Sequence, residues 1–167
     1  LEEKNDPGQL DVLVTGQQWT WSFRYDTDGD GFFVDANADG KVDEADEKFP
    51  LDMALDPDDV VTQNEIVMPV GQQVDLTITS RDVIHSFWIP RLNGKRDAVP
   101  GKFSTWSLQA NETGKFTGWC TEFCGLSHAR MRMDAIVLSE ADFNTWLENQ
   151  KKPAEVPDET TDPDAFA

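Results

Sequence analysis

The chain has 167 residues, with 14 Lys and Arg against 32 Asp and Glu, a formal net charge of −18, and 38 % hydrophobic content. Such a carboxylate excess excludes nucleic acid as a partner, because neutralising phosphates needs clustered Lys and Arg; it suits attraction of a positively charged protein partner, simple solubility or a salty habitat alike, and composition does not choose among them. The length suits one domain with its own core, and no apolar run reaches the roughly 18 residues of a bilayer-crossing helix.

In chain order, a polar stretch over 1–9 precedes two apolar, β-branched or aromatic segments, Leu10 to Thr15 and Gln18 to Tyr25, which read as strands. An acidic insert then spans 26–59. It opens with Asp26-Thr27-Asp28-Gly29-Asp30-Gly31 and continues into a run that fits a calcium loop. There Asp35, Asn37, Asp39 and Asp43 supply oxygens, Gly40 makes the turn, Lys41 offers its carbonyl and Asp46 closes the loop. Calcium would be structural, neutralising a loop that otherwise repels itself; without the ion the segment is a solvated acidic loop.

Further strands are expected at Glu65 to Met68, Val74 to Thr79, Val83 to Ile89, Phe103 to Leu108, Lys115 to Trp119 and Met133 to Leu138, separated by turn residues such as Pro69-Val70-Gly71 and Asn93-Gly94. This pattern predicts an all-β sandwich or barrel. Ser139 with Asp142 is expected to cap one helix, Glu140 to Asn149, whose Phe143, Trp146 and Leu147 fall at helical spacing. The Pro-, Asp-, Glu- and Thr-rich tail over 151–167 reads as disordered.

Chemistry concentrates in Cys120-Thr121-Glu122-Phe123-Cys124-Gly125-Leu126-Ser127-His128-Ala129-Arg130-Met131, which holds both cysteines and one of the two histidines of the chain. The other, His85, lies in Asp82-Val83-Ile84-His85-Ser86-Phe87-Trp88. Thiolate, imidazole and thioether together narrow the metal to copper or zinc, and the methionine tilts the choice to copper. One His-Cys-Met set with a further thiolate allows two coppers bridged by the cysteines, each capped by a histidine. A disulfide is the plain alternative for the cysteines. Met131 and Met133 fall on the same face by strand alternation, so the pattern does not choose between them as the thioether ligand.

These residues resemble subunit II of haem-copper cytochrome c oxidases, specifically its periplasmic dinuclear copper (CuA) domain. The resemblance extends to Gly16-Gln17-Gln18-Trp19-Thr20-Trp21-Ser22-Phe23-Arg24-Tyr25, Glu65-Ile66-Val67-Met68-Pro69-Val70-Gly71, Arg81 to Pro90 and Asp97-Ala98-Val99-Pro100-Gly101, in the family's order. It implies a cupredoxin-like Greek-key fold over 10–150 and copper ligation by His85, Cys120, Cys124, His128 and Met131, with Glu122 giving its backbone carbonyl. The Glu122 carboxylate would help bind a magnesium or manganese ion shared with subunit I. Trp19, with Trp21 beside it, would stand where electrons arrive, while Thr20 replaces the tyrosine of many members.

The function implied is electron transfer from a soluble cytochrome c or blue-copper protein to haem in subunit I, as part of a proton-pumping oxidoreductase that reduces oxygen elsewhere. The resemblance also implies a membrane anchor upstream, with residues 1–9 a linker remnant, and a location on the periplasmic, extracytoplasmic face of the respiratory membrane. A copper chaperone or sensor of cupredoxin fold is the rival reading. Nitrous oxide reductase carries the same centre, but usually has Trp at the position of Glu122. No Cys-x-x-Cys-His motif for attached haem occurs.

Overall fold

The structure is a computed structural model in which residues 10–27, 32 and 59–152 are described. Ten strands and one helix follow in order: β1 Leu10–Gln17, β2 Thr20–Asp26, β3 Val60–Gln63, β4 Glu65–Pro69, β5 Gln73–Ser80, β6 His85–Trp88, β7 Arg96–Ala98, β8 Ser104–Gln109, β9 Gly114–Cys120, β10 Arg132–Leu138 and α1 Glu140–Gln150. They form two five-stranded sheets, β3-β2-β1-β5-β8 and β4-β10-β9-β6-β7, the sandwich that the strand pattern predicts.

Alternating apolar residues of each sheet face the other. Val12, Val14, Trp21, Phe23, Leu76 and Ile78 from the first sheet share one buried cluster with Ile66, Met68, Phe87, Met133 and Ala135 from the second. Two polar ties cross between the sheets. The Tyr25 hydroxyl on β2 accepts from the Val67 backbone N–H at 2.7 Å and lies 3.1 Å from its carbonyl oxygen. Asn64, at a φ of 58°, turns β3 into β4; its side-chain oxygen accepts from the Trp21 backbone N–H, and its carbonyl from that of Asp134. The helix is capped as expected, with Ser139 Oγ accepting from the Asp142 backbone N–H, and it buries Phe143 and sets Trp146 against Tyr25.

Three expectations shift. The second strand begins at Thr20, not Gln18, because Gln18 and Trp19 form the β1–β2 turn and send their side chains to another loop. The His85 strand likewise begins at His85 itself. Strands β3 and β7 add edges that the pattern did not reveal. The calcium-loop residues Asp35, Asn37, Asp39, Lys41, Asp43 and Asp46, the linker at 1–9 and the tail beyond 152 lie outside the described residues.

The ends of β1 and β5, the start of β6 and the end of β9 meet at one end of the sandwich. Arg81 N–H bonds the Gly16 carbonyl at 3.0 Å, and Phe87 pairs with Cys120 in the sheet register.

Candidate metal centre

His85 is fixed first by the backbone: it is the opening residue of β6, fully buried, paired to Ala98 on β7. Its ring lies over Gly16, where an added Cβ would come within 2.9 Å of the imidazole, and it makes a T-shaped contact with Trp21, centroids 5.9 Å apart and planes at 65°. Nε2 lies 2.9 Å from Asp82 Oδ1, while Nδ1 faces Cys120 Sγ at 3.8 Å. Asp82 thus engages one ring nitrogen and leaves the other turned to the sulfur, which is how a metal-ligating histidine is oriented by its outer carboxylate.

Cys120 ends β9, and the loop after it is closed at its base by Cys120 N–H bonding the Met131 carbonyl at 3.0 Å. A second tie runs from Thr121 N–H to the Ser86 carbonyl at 2.9 Å. Within the loop, Gly125 takes a φ of 113° and a single 3-10 turn, His128–Arg130, returns the chain so that Met131 points inward. Cys120 and Cys124 are free thiols with sulfurs 3.8 Å apart, too far for a disulfide. His128 Nδ1 stands 3.6 Å and Met131 Sδ 3.7 Å from Cys124 Sγ, and the Glu122 carbonyl oxygen lies 3.2 Å from Cys120 Sγ.

Six donor atoms therefore converge, two sulfurs at the centre and an imidazole on either side. His85, Cys120 and Cys124 alone place their ligand atoms within 4.8 Å of one another. Met133 is separated from this group: its sulfur packs beside Gly118, in the core, so the thioether that faces the cysteines is that of Met131. The set fits copper by softness and geometry, with two thiolates able to bridge and nitrogen donors at both ends. The Glu122 side chain is exposed while its carbonyl points in.

Electrostatics divide the two thiols. Burial alone would raise the Cys120 thiol, but the His85 imidazole and the Ser86 backbone outweigh it and bring the thiol below its ordinary value. Cys124 is raised by burial and then by the charge of Cys120 beside it. Burial would lower His85, yet its contacts to Cys120 and Asp82 raise it. The two thiols are thus driven apart, Cys120 toward the thiolate and Cys124 toward the thiol, and metal binding would take the proton from both.

The two tryptophans named from sequence part company. Trp19 is 37 % exposed and its indole N–H donates to the Cys124 carbonyl at 3.1 Å, whereas Trp21 is fully buried against His85 and cannot meet a docking partner. Asp82 and Gln18 were missed by sequence reasoning. A carboxylate three residues before a candidate histidine ligand was the available signal for Asp82.

Residues 10–139 match the family described as "Cytochrome C oxidase subunit II, periplasmic domain". The chain belongs to the cytochrome c oxidase subunit II family. Similar curated members include the alternative cytochrome c oxidase subunit 2 of Bradyrhizobium diazoefficiens, 34 % identical over 151 residues, covering 84 % of this chain and 51 % of that protein. Another is cytochrome c oxidase subunit 2 of Neurospora crassa, 34 % identical over 159 residues, covering 90 % of this chain and 58 % of that protein. The chain therefore spans little more than half the length of these subunits. Among solved structures, the periplasmic domain of subunit II (CoxB) of Bradyrhizobium japonicum superposes with a TM-score of 0.64 at 27 % identity, covering 85 % of this chain and 93 % of that one. A mixed-disulfide complex of a thioredoxin-like protein with a subunit II periplasmic domain gives a TM-score of 0.61 at 26 % identity, over 90 % of this chain and 95 % of its counterpart. The cupredoxin-like sandwich expected from the sequence is the fold of this subunit II domain.

Proposed function

We propose that residues 10–150 form the dinuclear copper domain of a cytochrome c oxidase subunit II, holding two copper ions through His85, Cys120, Cys124, His128, Met131 and the Glu122 carbonyl. The observation that carries this reading is the pair of thiol sulfurs 3.8 Å apart, flanked by one imidazole nitrogen at 3.8 Å and another at 3.6 Å. Bound there, the copper pair supplies one-electron redox chemistry with the charge spread over two metals and covalent sulfur. The chain's own residues do the rest. Asp82 orients His85, burial of Cys120, Cys124 and Met131 keeps water from the ligands, and two strands anchor the site so that its geometry changes little.

Trp19, partly exposed and bonded to the Cys124 carbonyl, receives electrons from a soluble cytochrome c or blue-copper protein attracted by the chain's net charge of −18. The acceptor is haem in subunit I. The exposed Glu122 carboxylate would share magnesium or manganese with that subunit, and an anchoring segment would hold the domain at the periplasmic face of the membrane. Oxygen reduction and proton pumping belong to the partner subunits. A thioredoxin-like reductant would keep the two thiols free for copper, in line with the mixed-disulfide complex of the related domain.

The chaperone or sensor reading is disfavoured by the full burial of His85, since a protein that hands copper on needs ligands within a partner's reach. Copper loading followed by rapid mixing with a reduced basic cytochrome c tests the proposal. Two coppers per chain and oxidation of the cytochrome are expected; one metal per chain, or zinc in preference to copper, would overturn it.

A further inference from the structure

We propose that Gln18 is a positioning residue for electron arrival, its side-chain amide sharing the Cys124 carbonyl with the Trp19 indole and so clamping that indole to a copper-binding residue. The inference rests on the reading of Trp19 as the receiving group. Gln18 Nε2 donates to Cys124 O at 2.8 Å and Trp19 Nε1 donates to the same oxygen at 3.1 Å. A carbonyl oxygen has two lone pairs, so both donors are accommodated and neither displaces the other.

The turn that carries them is anchored at its base, because Gln18 N–H donates to Asp82 Oδ2 at 2.7 Å and Asp82 also holds His85. Two adjacent residues of one turn therefore reach both sides of the metal centre, His85 through Asp82 and Cys124 through its carbonyl. Gly125 makes the approach possible. A Cβ there would stand 2.9 Å from Gln18 Nε2, 3.3 Å from Trp19 Cζ2 and 3.4 Å from Trp19 Nε1, at a φ of +113° that favours glycine.

An electron tunnelling through the indole would cross one hydrogen bond to the Cys124 carbonyl and continue along C, Cα and Cβ to Sγ. The donor would lose one electron, copper held by Cys120 and Cys124 would gain it, and no proton would move. With the Gln18 amide gone, the turn loses one of its two side-chain ties to the Cys124 carbonyl, and the indole, whose outer edge is already exposed, is held there by its own hydrogen bond alone. The indole then leaves the carbonyl more often.

The test uses Gln18→Met, similar in length but without a donor, with Gln18→Leu as a second variant that removes the amide with a different side chain. In the metal-free protein, hydrogen exchange of the Trp19 indole N–H, followed by nitrogen-15 NMR, should accelerate about three- to tenfold, the net contribution of one hydrogen bond. Backbone amides of β1 and β2 should keep their rates. In the copper-loaded protein the optical spectrum should match that of the unsubstituted chain while reduction by a reduced basic cytochrome c slows by about twofold or more. Unchanged indole exchange, faster exchange throughout both strands, or a spectral change in step with the rate would overturn the clamp. An unsubstituted protein that loads two coppers yet accepts no electron would overturn the reading of Trp19 itself, a result separable from the metal-free exchange data.

Discussion

Replacing Asp82 by Ala removes three contacts made by one carboxylate: to His85 Nε2 at 2.9 Å, to the Gln18 backbone N–H at 2.7 Å and to the Val83 backbone N–H at 2.7 Å. The two backbone groups lie at exposed positions and can turn to water. The imidazole is fully buried, so its Nε2 is left without a partner. An orphaned buried polar group costs about 1–3 kcal/mol. Loss of the carboxylate behind a metal-ligating histidine typically costs 10- to 100-fold in affinity, which is about 1.4–2.8 kcal/mol. The first cost falls on the stability of the folded chain and the second on metal binding, so copper affinity measured by competition with a chelator should fall about 10- to 100-fold. The reduction potential should rise, because a negative charge beside the imidazole favours the more positive oxidised site. Asp82→Asn keeps an acceptor oxygen and should recover part of the affinity but not the potential. A folded Asp82→Ala protein with unchanged affinity and potential would refute the role assigned to this carboxylate.

Gly16→Ala should destabilise the protein by about 1–3 kcal/mol through overpacking, since the new Cβ would sit 2.9 Å from His85 Cδ2 and 3.2 Å from Trp21 Cζ3, two buried rings with no room to withdraw. Gly94→Ala, whose Cβ would meet Trp106 at an ordinary 3.5 Å, is the matched control and should leave the thermal midpoint nearly unchanged; equal shifts for the two would contradict the packing of His85 on Gly16. Asp11 has its carboxyl raised from 3.8 to about 6 by burial and by the neighbouring charges of Asp75 and Asp26, its cross-strand partners on β5 and β2. The folded state keeps this proton where the unfolded chain has lost it, so stability should fall as pH rises from about 4 to about 6 and level off above. Asp11→Asn should flatten that slope in urea denaturation, and an unaltered profile would assign the pH dependence to other groups. For the loop Asp35 to Asp46, isothermal titration of metal-stripped protein with calcium should release or absorb heat and raise the thermal midpoint; no heat and no stabilisation would remove calcium from the account.

The candidate ligand cluster was legible because its chemistry is scarce in this chain: with two cysteines and two histidines in all, a loop that gathers three of the four leaves few alternatives. The long strands were legible for a different reason, as β1, β5, β9 and β10 bury alternate or continuous apolar residues over seven or eight positions. The short edges β3 and β7 span four and three residues, fewer than an alternation needs to declare itself, and they exist because neighbouring strands offer unpaired backbone groups. Gln18 and Trp19 read as strand because they continue an apolar, aromatic run, yet their partners lie on a loop more than 100 positions away. Long-range hydrogen bonds of that kind leave no periodic trace. The choice between Met131 and Met133 also needed the fold, since alternation assumes that both are in the strand, and the strand begins only at Arg132.

The central claim is a copper pair bridged by Cys120 and Cys124. Electron paramagnetic resonance of the copper-loaded protein tests it most directly: the account predicts a purple protein whose hyperfine pattern is that of one unpaired electron shared equally by two copper nuclei. Cys124→Ser should collapse that pattern to the signal of a single copper. A single-copper spectrum from the unsubstituted chain, or a shared-electron spectrum that survives the loss of Cys124, would contradict it.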